Sequence, residues 1–350
     1  MRAHFAARPD LLPTPLHKAK SLARSLGLKN LWLKDETDRF QLPAFKGLGA
    51  GFAIVQLLQR GAIPRGATVV CASEGNHGRA VARAARAHGL KARVYVGARV
   101  AASRVEAIAL EGAEVIRGSG TYDDAVRQAA SDAALHGWHV ISDTGWAGYE
   151  EIPRLIMLGY TRLMDEAAAA WEDKAPNLVL VQGGVGGLAA AVASWYAANP
   201  QVPRAKLVCV EPLQAACLLE SARAGRPVAI SGALDTIMGG LRCGEPSITA
   251  LPAVLESYDA YLAIDDVWPR RAMLRLARAS GKEHAFPCGP SGAAGVAALM
   301  ALHKDPALAE VRTALGIGET TRAMAIITEG VTEPELYEEI VGGGARARVR

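Results

Sequence analysis

The sequence predicts an α/β protein with two parallel-sheet α/β domains, because short β-branched runs alternate with amphipathic stretches and fall into two series separated by one long helical pattern. The first series is ATVVCAS (67–73), ARVYVG (92–97), AEVIRG (113–118) and WHVIS (138–142). The second is NLVLVQ (177–182), KLVCVEP (206–212), AYLAIDD (260–266) and AMAIITEG (323–330). Strands separated each time by a helix must run parallel, since only a crossover returns the chain to the same edge, and burial on both faces makes them near-continuous apolar runs. Between the two series, EEIPRLIMLGYTRLMDEAAAAWE (150–172) predicts one long helix with Pro153 in its first turn, where a missing N–H costs nothing. A domain boundary is expected close to the start of that helix.

Composition bounds the function. The chain has 350 residues, 50% hydrophobic and 21% charged, which is enough apolar material for two modest cores. The formal charge is +4, with Arg and Lys scattered among acids, so nucleic-acid binding has no support. The five cysteines form no CxxC pair and read as reduced cytosolic thiols, although Cys217 and Cys243 could meet in space. The opening MRAHFAARPD lacks an apolar core of signal-peptide length, and no window approaches the roughly 18 apolar residues of a spanning helix. A soluble cytoplasmic protein without a membrane partner is expected. Alanine-rich segments such as RAVARAARAHG raise the mean hydropathy and report helix propensity.

Parallel sheets bind ligands beyond the carboxyl ends of their strands, so loops that follow strands are informative. SEGNHGRA (73–80) follows the first strand directly and precedes a helix, placing Asn76 and His77 in a turn that offers backbone donors and one carboxamide. An N-cap role for Asn76 is the competing reading. LVLVQGGVGGLAAAVASW (178–195) is a buried strand, a glycine cluster and a helix, a cradle for phosphate. The same stretch contains G-x-G-x-x-A from Gly184 to Ala189, and Glu211 ends the next strand, so an NAD-linked dehydrogenase competes. Thr328 ends the last strand, where a hydroxyl could meet a buried heterocycle or serve only as a β-former, and Glu329 with Gly330 would turn the chain.

One further stretch lies before the first series. In PAFKGLGAGFAI (43–54), Lys46 stands at the head of an amphipathic helix, where the positive end of the macrodipole disfavours a cation and should lower the amine's pKa. A neutral amine condenses with an aldehyde; a solvated surface lysine is the alternative.

Taken in order, the early lysine, the GNHG turn, the central glycine cradle and the late hydroxyl resemble the fold-type-II pyridoxal-phosphate enzymes, the tryptophan synthase β-like group. KDETDRFQLPAFKGLG (34–49), SEGNHGRAVA (73–82), DTGWAGYEEIPRLIMLGY (143–160), VEPLQAACL (210–218) and TIMGGLRCGEPS (236–247) resemble 2,3-diaminopropionate ammonia-lyases more narrowly. The resemblance implies pyridoxal 5'-phosphate as cofactor, no metal, and α,β-elimination of ammonia from 2,3-diaminopropionate to give pyruvate. A serine, threonine or 3-hydroxyaspartate dehydratase of the same fold is the alternative in chemistry.

By position, the resemblance makes Lys46 the Schiff-base lysine beside Phe45, gives Asn76 the cofactor's phenolic oxygen, Gly183, Gly184, Val185, Gly186 and Gly187 its phosphate, and Thr328 its pyridine nitrogen. Ser73, His77 and Asp143 would meet the substrate, Asp143 at its distal amine. Glu74 stands where the family usually has an aspartate that abstracts a proton from the D-substrate, and Cys288-Gly-Pro-Ser291-Gly replaces a GESGA-like stretch. The implied organisation is a large cofactor-binding domain from 1–47 plus 151–350, a smaller mobile domain from 48–150, the cofactor in the cleft between them, and a homodimer.

Overall fold

In the computed structural model, which describes residues 1–73, 75–171, 175–278 and 283–343, ten strands form two sheets. Their ranges are β1 Leu16–Lys18, β2 Asn30–Asp35, β3 Thr68–Ala72, β4 Lys91–Val96, β5 Glu114–Arg117, β6 His139–Val140, β7 Leu178–Gln182, β8 Lys206–Pro212, β9 Ala260–Ile264 and β10 Arg322–Ile327. The larger sheet has the order β1-β2-β10-β7-β8-β9 and the smaller β5-β4-β3-β6. Every pairing is parallel except β1 with β2.

All eight expected strands are present, and β1 and β2 are additions. The sequence of β2, NLWLKD, carries two charges at its end, which hides it as a buried strand. Lys34 is nonetheless fully buried, because its ammonium meets Glu166 at 2.9 Å and Glu36 at 3.1 Å. Side chains of successive strand residues go to opposite faces, and the larger sheet shows it. Leu178 and Leu180 of β7 enter one apolar core with Ala323 and Ala325 of β10, while Val179 and Val181 enter the other with Met324 and Ile326.

The long helix is Glu151–Ala169, with Pro153 in its first turn as expected. It lies against the helix Gly47–Gln59, and the two cross where neither can carry a side chain. A Cβ on Gly159 would stand 2.5 Å from Leu48 O, and one on Gly49 would stand 2.8 Å from Ile156 O. Both helices share a core with β3 and β7, so the helix headed by Lys46 is held between the two sheets. None of the described helices is long and apolar enough to cross a membrane.

Candidate active site

The carboxyl ends of β3, β7 and β10 converge on one cavity of about 760 Å³, open mouth included. Phe45, Lys46, Ser73, Asn76, His77, Asp143, Gly183, Gly184, Val185, Gly187 and Thr328 all line it. Gly186, one residue behind the wall, shapes the loop. Glu74 lies outside the described residues.

Lys46 caps the helix Gly47–Gln59 as the sequence predicts. Its charge state does not follow the macrodipole argument. Burial pushes its pKa down, but Asp143, with its carboxylate 2.5 Å from the ammonium, outweighs that and leaves the pKa well above the usual lysine range. Asp143 follows Ser142 just beyond β6, and a partner 97 residues away cannot be read from the helix end alone. The rings of Phe45 and Tyr160 flank the ammonium, with centroids at 5.2 and 5.7 Å.

Burial alone would raise the carboxyl pKa of Asp143, but the charges of His77 and Lys46 pull it down to about 2. Burial holds His77 below its usual pKa, so around neutral pH Lys46 is the cation that faces this carboxylate. His77 is fixed by Nε2 at 2.7 Å from Ile141 O, with Nδ1 3.7 Å from Asp143. Tyr122 OH completes the group, 3.4 Å from Asp143 Oδ1, and burial keeps that phenol protonated.

The turn after β3 is built by Ser73, whose Oγ accepts from the N–H groups of Gly75 and Gly78 at 2.8 Å each. Gly75 has φ +142°, a backbone state that suits glycine, and it caps the helix Asn76–Ala87. Asn76 therefore does not cap. Its side-chain amide donates to Glu329 at 2.6 Å across the cavity.

The glycine loop joins β7 to the helix Gly187–Ala198. Gly184 and Gly186 have φ of +62° and +100°, and the first N–H groups of the helix have no acceptor within it. Glu211 is buried beneath the loop, where a Cβ on Gly183 would lie 2.6 Å from its Cγ. Its two oxygens accept from the N–H groups of Leu218 and Leu219, and burial raises its pKa to about 8. A carboxyl group buried and engaged in that way has no reach to a ribose, which removes the basis of the dinucleotide reading. Cys217 and Cys243 do meet beside this loop, as free thiols; the hydrogen bond that the Cys243 thiol shares with Cys217, together with burial, pushes its pKa up.

Two segments distant in sequence complete the wall. Ser247 Oγ accepts from Gly145 N at 2.8 Å and Ser247 N donates to Val185 O at 2.9 Å, tying the 236–247 segment to the 143–149 loop and to the glycine cradle. Cys288 is buried in the core, while Ser291 lines the cavity and accepts from Gly240 N at 3.0 Å. Thr328 Oγ1 lies 3.3 Å from Ser291 O. Sequence reasoning missed Tyr122, and it gave Glu329 only a turning role. A buried acid at a strand end was the available signal for Glu329.

The donor set fits a phosphorylated pyridoxal. A cradle of backbone N–H groups faces a lysine, with a carboxamide and a hydroxyl farther along the wall, and Gln182 at the cavity's floor keeps Oε1 without a hydrogen-bond partner among the described residues. The chain belongs to the pyridoxal-phosphate dependent enzymes, whose family profile matches residues 7–317. Its fold is that of the fold-type-II group and its cofactor is pyridoxal 5'-phosphate.

Among its relatives, the diaminopropionate ammonia-lyase of Salmonella typhimurium is 36% identical, over 97% of this chain and 90% of the relative. A crystal structure of the Escherichia coli diaminopropionate ammonia lyase, in complex with an aminoacrylate-PLP azomethine reaction intermediate, superposes with a TM-score of 0.90. That match has 35% identity and covers 98% of this chain and 91% of the other. The biosynthetic L-threonine dehydratase of Mycobacterium tuberculosis is more distant, 29% identical over 87% of this chain.

Proposed function

We propose that this protein is a pyridoxal-phosphate-dependent carbon-nitrogen lyase that eliminates ammonia from 2,3-diaminopropionate, giving pyruvate and ammonia. The observation that carries the reading is the 36% identity to a diaminopropionate ammonia-lyase along nearly the whole chain. The cavity supports it. Asp143, an ionised carboxylate beside Lys46, suits a substrate that brings a second ammonium group, whereas a hydroxyl-bearing substrate would leave that buried charge without a cation once Lys46 is occupied elsewhere.

In this reading Lys46 carries the cofactor through its amine, and the bound cofactor supplies an electron sink for negative charge at Cα. Gly183, Gly184, Val185, Gly186 and Gly187 hold the phosphate, Asn76 the phenolic oxygen and Thr328 the pyridine nitrogen, with Phe45 beside the ring. The free amine of Lys46 would take the Cα proton of the L-substrate, and Glu74 would take that of the D-substrate. Asp143 accepts the distal ammonium and keeps it protonated, so that it departs as neutral ammonia when the Cβ–N bond breaks and its electron pair goes to nitrogen; Tyr122 and His77 keep the carboxylate aimed. Ser73 shapes the turn that receives the substrate's carboxylate.

Residues 48–150 form the smaller, mobile domain and 1–47 plus 151–350 the larger one, with the cofactor between. The protein works in the cytoplasm, where five free thiols persist, and as a homodimer, which light scattering would check. The chemistry is tested by pyruvate release from L- and D-2,3-diaminopropionate, L-serine, L-threonine and 3-hydroxyaspartate. We expect wild type to prefer the diamine, Lys46→Ala to lose at least about a thousandfold in rate, and Glu74→Ala to lose the D-substrate selectively. Full activity in Lys46→Ala overturns the assignment, and a preference for the hydroxy acids makes the protein a dehydratase.

A further inference from the structure

Glu329 is almost wholly buried in the wall of the cavity, directly after Thr328, and its neighbours leave its carboxylate one working oxygen. Oε2 accepts from Asn76 Nδ2 at 2.6 Å and lies 3.7 Å from Arg104 Nη2. Oε1 has no hydrogen-bond partner among the described residues. A glycine makes the space: a Cβ on Gly289 would stand 2.6 Å from Oε1. Arg104 is itself buried, comes from the helix Ala102–Leu110 against the smaller sheet, and donates through Nε to Glu333 at 2.6 Å. Its side chain also abuts the turn, since a Cβ on Gly75 would lie 3.3 Å from Arg104 Cδ.

From this geometry we infer that Glu329, held by Arg104, is a positioning residue that fixes which way the Asn76 carboxamide faces. The inference rests on the assignment of Asn76 to the cofactor's phenolic oxygen. An amide can present either N–H or C=O to a ligand, and the two orientations have nearly the same shape. A carboxylate beside a guanidinium accepts and does not donate, so only the amide nitrogen can face Glu329 at 2.6 Å. The second N–H of the same nitrogen is then left for the cavity, as a donor to an ionised phenolic oxygen. The flipped amide would set its carbonyl oxygen against both the Glu329 carboxylate and that oxygen. Arg104 adds a condition: because its helix packs beside the smaller sheet and Glu329 follows the last strand of the larger, the amide is locked only while the two sheets are apposed.

The test uses holoenzyme loaded with pyridoxal phosphate and titrates the visible absorption of the bound cofactor with pH, alongside thermal melting. Asn76→Ala and Glu329→Gln should each move the spectral midpoint upward by about one pH unit, tenfold in the equilibrium, because the ionised phenolic oxygen loses its donor or that donor's orientation. Arg104→Leu should move it the same way by a smaller amount, and Arg104→Lys should restore most of the wild-type titration. A shift in Asn76→Ala with a wild-type titration in Glu329→Gln overturns the positioning role alone. No shift in Asn76→Ala overturns the Asn76 assignment, and the inference with it. Should Glu329→Gln fail to fold, Arg104→Leu reads the same link, and an unchanged midpoint there overturns it.

Discussion

At Lys46 two influences compete, and the nearer charge wins. Burial and the start of a helix favour the neutral amine, but the Asp143 carboxylate at 2.5 Å keeps the ammonium. The consequence is kinetic. Cofactor capture needs the free amine, so the ligand-free protein should load pyridoxal phosphate slowly at neutral pH and faster as pH rises. Asp143→Asn removes the partner that raises the lysine's pKa, so at neutral pH it should load about tenfold faster than wild type while eliminating ammonia far more slowly. Stopped-flow absorbance during loading separates the two effects; equal loading rates would mean that Asp143 does not govern Lys46. Lys46 itself was legible from its place after Pro43, but the sign of its pKa was not, because Asp143 reaches it through the fold.

At the scale of elements, the lysine's position depends on a crossing of two helices. Gly49 and Gly159 let the helices Gly47–Gln59 and Glu151–Ala169 touch backbone to backbone. Gly159→Ala puts a methyl group 2.5 Å from Leu48 O, which forces the helices apart. It should cost about 1–3 kcal/mol in urea unfolding and weaken cofactor binding, although residue 159 does not line the cavity. Retained stability and affinity would show that the crossing is not what sets Lys46. The glycine of that helix interior gave no periodic signal, so its purpose emerged only with the neighbour it meets. The glycine cradle at 183–187 was readable in advance, because a buried strand, a cluster of glycines and a helix in immediate succession leave few other structures.

Across the whole molecule, two sheets with a shared core present their strand ends to one cleft, and an ionic cluster anchors the approach to it. Lys34 of β2, Glu36, Arg39 and Glu166 of the long helix are all buried and mutually paired, with Arg39 Nη2 2.7 Å from Glu36 and 2.6 Å from Glu166. Arg39→Met leaves Glu36 with Lys34 alone and Glu166 with Lys34 and the less buried Arg162, and should cost roughly 3–5 kcal/mol by urea unfolding; a loss under about 1 kcal/mol would contradict the burial argument. Eight of the ten strands were readable because parallel strands are apolar throughout, and β2 escaped because the buried charge of Lys34 near its end is met by Glu166, on a helix that begins 116 residues after that strand ends. The link from Asn76 to Glu329 was invisible for the same reason, since its partners lie 253 residues apart. An amine as leaving group sets the stoichiometry, which is read as the ratio of ammonia to pyruvate released from L-2,3-diaminopropionate by the holoenzyme. Elimination followed by hydrolysis predicts two ammonia molecules for each pyruvate, with both products absent in Lys46→Ala; no pyruvate from the diamine, alongside one ammonia per pyruvate from L-serine, would contradict it.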